Sequence, residues 1–187
     1  MRALWFLPAL SRGLVRIERV ALMALIAAVA GLVLVNVGLR ATGRTLAWAD
    51  EAAILCMTLA GFVGASLMLR MRTAPAVALL HQLVPEGVAR GLRALVSVVV
   101  VAFGGVLAWL CWRWLDPLAL VAAGFDIAVF EAATFNFVYT ETTPVMRLPK
   151  VWVFLVMPWF ALSLTVHALA NLAEDLGLAA PDGDVGR

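Results

Sequence analysis

The sequence predicts an all-α membrane protein with four transmembrane helices, additional amphipathic interfacial helices and both termini cytoplasmic. Composition, the placing of charge-free stretches and the distribution of Arg and Lys each point there. Of 187 residues, 64% are hydrophobic and only 14% charged, against about 25% charged in a soluble domain. Four windows hold no Asp, Glu, Lys or Arg: 20–39, 52–69, 94–112 and 151–173. Each suits a spanning helix, since ~20 residues at ~1.5 Å rise cross a ~30 Å hydrocarbon core. A buried helix of a soluble protein would account for one such window, not for four in so short a chain.

The reading in chain order is a single membrane domain over residues 1–173, followed by a flexible acidic cytoplasmic tail, 174–187. Residues 2–19 form an interfacial N-terminal helix. Arg12, Arg16 and Arg19 share one face, while Leu7, Leu10, Leu14 and Ile17 cluster on the other, as in a helix lying on an anionic leaflet; the alternative is a basic tail that only fixes topology. The apolar run that follows exceeds the ~7–15 residues of a signal-peptide core, so 20–39 is read as an uncleaved first span. The others are 52–69, 94–114 and 151–173. Between the second and third, Val77 to Val84 sit between Pro75 and Pro85, the pattern of a short interfacial helix with turn-forming ends.

Orientation follows from the positive-inside rule. Arg2, Arg12, Arg16, Arg19, Arg70, Arg72, Arg90, Arg93 and Arg187 fall on one side; Arg40, Arg44, Arg113, Arg147 and Lys150 fall on the other. The richer side is placed in the cytoplasm. Trp48, Trp112, Trp114 and Trp152 then mark the outer ends of spans, where indole rings favour the membrane–water boundary. Arg12, Arg16, Arg19, Trp112, Trp114 and Trp152 are therefore the expected interfacial anchors, with membrane lipid as partner. The outer connection, 116–149, is apolar but interrupted by Asp126, Glu131 and Glu141. A fifth span would bury Asp126 and Glu131 near mid-membrane at roughly 2.5–3.5 kcal/mol each. An interfacial or protein-covered helix is expected instead.

Little in the chain suggests catalysis, and no enzyme activity is expected. Cys56 and Cys111 make no C-x-x-C or metal-ligand spacing. They share an outer depth, which leaves a disulfide or two small buried hydrophobes as alternatives. His81 and His167 are poorly placed for a bis-histidine haem. There is no phosphate loop, the net charge of +2 implies no nucleic-acid partner, and no metal or cofactor is expected. Arg40, Trp48, Asp50 and Glu51 gather at the outer boundary between spans one and two. A cation suits a helix C-terminus and carboxylates a helix N-terminus, so an Arg40–Glu51 pair is expected to clamp this hairpin. Inside the charge-free windows no carboxylate or Lys remains, whereas coupled carriers usually place ionisable groups at mid-membrane.

The run Val37-x2-Arg40-x7-Trp48-x2-Glu51, then Phe62-Val63-Gly64-Ala65 and Arg70, resembles the DctQ-like family, the small membrane subunit of tripartite ATP-independent periplasmic (TRAP) transporters. Arg147-Leu148-Pro149-Lys150-Val151-Trp152 and Pro158 look like that family's entry into its last helix. The resemblance covers roughly residues 15–170. Arg72-Thr73-Ala74-Pro75 replaces the Gly-x-His-Ile-like segment common after the family's second helix, and the outer connection is longer than usual. The resemblance implies a bacterial inner-membrane accessory subunit. Its partners would be a large sodium-driven transport subunit, which it braces, and a periplasmic binding protein that delivers an organic acid. The competing readings are the membrane anchor of a redox complex and a small self-contained exporter.

Overall fold

In the computed structural model, residues 6–73 and 85–179 are described. The chain forms α1 (Phe6–Ala41), α2 (Ala47–Met71), α3 (Glu86–Leu115), α4 (Pro117–Ala122), α5 (Ile127–Thr134), α6 (Lys150–Phe154) and α7 (Val156–Asp175). Four helical stretches are long and apolar enough to cross a membrane: α1, α2, α3 running on into α4, and α6 with α7.

The expected surface helix is not separate. α1 runs unbroken for 36 residues, about 54 Å at 1.5 Å per residue. Its one proline, Pro8, lies in the first turn, where a missing N–H costs nothing. Nothing therefore stops the helix between the basic segment and the span. Arg12, Arg16 and Arg19 remain exposed, but the face that packs is not the leucine face. Pro8, Ser11, Val15 and Glu18 are buried, while Leu10 and Ile17 are exposed.

α1 turns into α2 through a tight loop in which Gly43 takes φ +77°, a left-handed conformation that suits glycine. Thr42 N and Arg44 N donate to Leu39 O, closing the helix end. The last span breaks at Leu155, between α6 and α7. Pro158 explains the break, since it has no N–H to donate to the carbonyl of Phe154 and its ring crowds that position.

α7 is the hub. It packs along α3 and also against α2 and α1, while α1 and α2 pack on each other. Its buried positions are mostly small, including Ala161, Ser163, Ala168, Ala170 and Ala173. Small residues let helix backbones approach where lipid supplies no hydrophobic drive. Val15, Val63 and Leu67, with Leu22 against them, form an apolar contact between α1 and α2, and Phe62 meets Phe160 edge-on at 5.3 Å. Glu174 and Asp175, assigned to a flexible tail by sequence, instead close α7. Their charges are held by arginines, as described below. Residues 180–187 and the 74–84 segment with His81 lie outside the described residues.

The 116–149 connection is a folded cap. α4 and α5 have six and eight residues, too short to span. Asn136 Nδ2 donates to Trp114 O at 2.7 Å and Tyr139 Oη to Leu115 O at 2.6 Å, satisfying carbonyls at the end of α3. Burial, with the Asp116 charge adding to it, pushes the Tyr139 phenol above its usual range, so it keeps the proton it donates. Phe130 is fully buried and packs on Tyr139. Trp112 and Trp152 are exposed, but Trp114 is packed against Phe154 at 5.5 Å. Cys56 and Cys111 are both free thiols.

α3 lies tight against α7 at Gly104. A Cβ there would collide with Thr165 Oγ1 and sit 3.4 Å from Ala161 O, whereas one at Gly105 would meet nothing within 4 Å. Gly104→Ala is expected to destabilise the fold by about 1–3 kcal/mol through overpacking. Gly105→Ala should be neutral or stabilising by up to ~1 kcal/mol. Thermal unfolding in detergent checks both, with Thr165→Ala restoring stability to the Gly104→Ala chain.

Candidate functional site: polar clasps at the two ends of the bundle

At the Trp-rich end the expected cluster is present but wired differently. Arg40 Nη2 donates to Asp50 Oδ2 at 2.9 Å; Glu51 does not pair with Arg40. Consecutive residues on a helix point about 100° apart, so only one of these two carboxylates can face α1. Both members of the Arg40–Asp50 pair are more than half exposed, which limits its contribution to about 0–1 kcal/mol. The stronger element is Asn36, which sequence reasoning missed. It is 3% exposed, donates to Asp50 Oδ1 at 2.6 Å and accepts from Leu46 N at 3.1 Å. One amide thus ties α1, the connecting loop and the start of α2. Its signal was a lone amide one turn before Arg40 in an otherwise apolar run.

Glu51 reaches the other way. Its carboxylate accepts from Met146 N at 2.6 Å and Val145 N at 3.2 Å. Those amides belong to a turn whose ends meet in a bridge between Thr142 and Pro149, with Arg147 at φ +55° and Lys150 paired to Glu141 at 3.1 Å. A cleft of about 470 Å³ lies between this turn and the start of α2, lined by Glu51, Ile54, Leu55, Val145 and Phe154 among others. Trp48 is 46% exposed on the first turn of α2.

The Arg-rich end holds the larger network. Ser163, His167, Asn171 and Glu174 fall on one face of α7, three or four residues apart, and each meets a polar group on another helix. Ser163 bonds Ser66 at 2.9 Å. His167 Nδ1 bonds Ser11 Oγ at 2.7 Å, and its Nε2 meets Glu18 Oε2 at 3.1 Å. Both ring nitrogens are thereby occupied. Asn171 accepts from Arg70 at 2.5 Å and donates to Leu69 O at 3.0 Å. Arg70 also pairs with Glu174 at 2.7 Å. Arg72 and Arg93 converge on Asp175 at 2.8 and 3.3 Å, the latter bringing in α3. Ser11, Glu18, Ser66, Arg70, His167 and Asn171 are all essentially buried.

Buried ionisable groups do lie in these helices, just outside the charge-free windows 20–39 and 52–69. Glu18 and Arg70 each sit roughly 35 Å from the opposite ends of their helices, at Ala41 and Ala47, which is about the thickness of the hydrocarbon core. They lie at a boundary, not at mid-membrane. The windows excluded them because a charge-free criterion stops at the first charged residue. Among the described residues no group of three or more His, Cys, Asp and Glu is arranged to hold a metal ion.

Glu18 Oε1 is buried with no hydrogen-bond partner, so the carboxylate depends on His167. His167→Phe is expected to destabilise the fold by about 1–3 kcal/mol, the cost of leaving buried polar groups of Glu18 and Ser11 without their partner. Combining it with Glu18→Leu should recover most of that loss, because neither polar group then remains. Unfolding of the two single variants and the double variant checks the non-additivity.

The family model described as Tripartite ATP-independent periplasmic transporters, DctQ component, matches residues 29–178. No curated protein and no solved structure matches the chain. The match covers most of the chain and agrees with the four apolar helices of a multi-pass membrane protein. The family is one of transporter components, not of enzymes, and works in TRAP systems with a large DctM subunit and a periplasmic binding protein. The chain belongs to the DctQ family, the small membrane component of TRAP transporters.

Proposed function

We propose that this chain braces the large subunit of a sodium-driven TRAP transporter in the bacterial inner membrane. The transporter takes up an organic acid that a periplasmic binding protein delivers. The observation that carries this reading is the use made of the buried polar groups. Ser11, Glu18, Ser66, Arg70, His167, Asn171 and Glu174 bond to one another across helix interfaces. Groups that carry a solute or ion through a membrane line a path and keep ligand positions open. Apart from Glu18 Oε1, the side chains named here are spent on each other, and groups spent on each other hold helices in register.

In this proposal the Arg-rich end faces the cytoplasm, and Arg12, Arg16 and Arg19 contact anionic lipid there. The Asn36–Asp50–Arg40 clasp and the turn held by Glu51 face the periplasm. Trp48, Trp112 and Trp152 sit at that boundary. Broad exposed apolar faces on α1 and α3 are shared between lipid and the large subunit.

Reconstituted alone in vesicles, the chain should show no sodium-driven uptake of any carboxylate. Uptake should appear only with the large subunit and the binding protein present, and robust uptake by the isolated chain would overturn the accessory role. A C-terminal reporter fusion should be active only as a cytoplasmic reporter; periplasmic activity would reverse the orientation.

A further inference from the structure

The 116–149 cap carries exposed apolar side chains that the bundle does not cover. Leu118, Val121, Phe125, Ile127, Val129 and Phe135 are all exposed, Phe135 to 82%. Two occupants are open to such a face, a protein subunit or the membrane surface.

Its polar chemistry is self-contained. Between residues 117 and 130 the one charged side chain is Asp126, and it caps its own helix by accepting from Ala128 N at 2.9 Å and Val129 N at 3.2 Å. Asp116 caps α4 through Ala119 N at 3.3 Å. The turn between the helices closes on itself, with Gly124 N bonded to Val121 O, Phe125 N to Leu120 O and Asp126 N to Ala123 O. Phe135 N closes the end of α5 on Glu131 O, and the Glu131 carboxylate is bonded by Thr140. An element that satisfies its own backbone is what apolar surroundings demand, where each unsatisfied group costs several kcal/mol. A face that docks a dissociating soluble protein carries about as much polar area as the rest of a protein surface. Between residues 117 and 130 this one offers a single polar side chain, Asp126, already bonded to its own helix.

Position decides the remainder. Asp116 alone separates α3 from α4, and exposed Trp112 lies one turn before it. Indole rings mark the headgroup level, and α4 is only about 9 Å long, so the hairpin starts within a turn or two of that level.

We propose that the α4–α5 hairpin is a membrane-surface anchor. Its Leu118, Val121, Phe125 and Val129 side chains insert at the boundary between headgroups and acyl chains of the leaflet at the Trp-rich end. The inserted hairpin fixes the depth of the α3–α7 pair from the end opposite to the arginines.

The test is spin-label accessibility. The full chain, with Cys56→Ala and Cys111→Ala, carries one label at Val121→Cys, Phe125→Cys or Glu141→Cys. It is measured in phosphatidylethanolamine–phosphatidylglycerol vesicles, alone and assembled into the transporter. At 121 and 125, oxygen collisions should exceed those of a water-soluble nickel chelate several-fold, to the depth of about 5–10 Å typical of interfacial helices. At 141, in the polar turn, the order should reverse. Nickel dominance at 121 and 125 would place the hairpin in water and overturn the proposal. Accessibility to oxygen in the chain alone, lost to both reagents in the assembled transporter, would overturn it in favour of a protein cover. Leu118→Cys and Val129→Cys replace either variant that fails to assemble.

Discussion

Ser163, His167, Asn171 and Glu174 form one line along α7, and the positions of α1 and α2 follow from what each of them needs as a partner. In water, packed apolar faces would drive such helices together. In lipid they do not, because acyl chains are as apolar as leucine. A single interhelical hydrogen bond in a membrane contributes only about 0.6 kcal/mol on average. An orphaned buried charge costs about 3–5 kcal/mol. The second figure dominates, so the network acts mainly by penalising wrong registers. Sliding α1 by one residue would strand Glu18, and rotating α2 would strand Arg70 and Glu174 together.

The two ends of the molecule solve the same problem with different means. At the Arg-rich end, charges are buried and answered by charges: Arg70 with Glu174, Arg72 and Arg93 with Asp175. At the Trp-rich end one buried amide, Asn36, does the joining, and the exposed Arg40–Asp50 pair adds little. There the chain also folds back over the ends of its own helices, with Glu51 holding the turn at Val145 and Met146. The hub position of α7 and the small residues along it make this a frame with wide outward faces on α1 and α3. The bracing role proposed above needs that combination: internal register fixed, outer surface apolar.

Much of this was legible in the sequence because lipid imposes strict rules. Four charge-free windows gave four spans, and the short charged interruptions at Asp126 and Glu131 correctly argued against a fifth. The motifs around Arg40, Trp48, Glu51 and Arg70 led to the family. Other features were hidden by the method that found the spans. A charge-free window ends at the first charged residue, so Glu18 and Arg70 fell outside the spans and Glu174 in a tail, although the first two are buried and the third is half-buried against Arg70. The polar stripe of α7 was visible at its spacing of three and four residues, but His167 was weighed as a possible haem ligand instead of as one member of a line. The choice of Asp50 over Glu51 as the partner of Arg40 depends on helix phase, and the hold of Glu51 on Val145 and Met146 spans almost a hundred residues of sequence. Local patterns carry no trace of such a contact.

The central claim is that the buried polar network sets helix register and takes no part in moving solute. Turnover per assembled transporter tests it most directly. The variants Glu18→Gln, Arg70→Lys and Asn171→Ala should be assembled with the partner subunits, the amount of complex counted, and uptake measured across a range of sodium concentrations. Less assembled complex is expected, with unchanged turnover per complex and an unchanged sodium dependence. Normal assembly with altered turnover or a shifted sodium dependence would place these residues in the transport chemistry and contradict it.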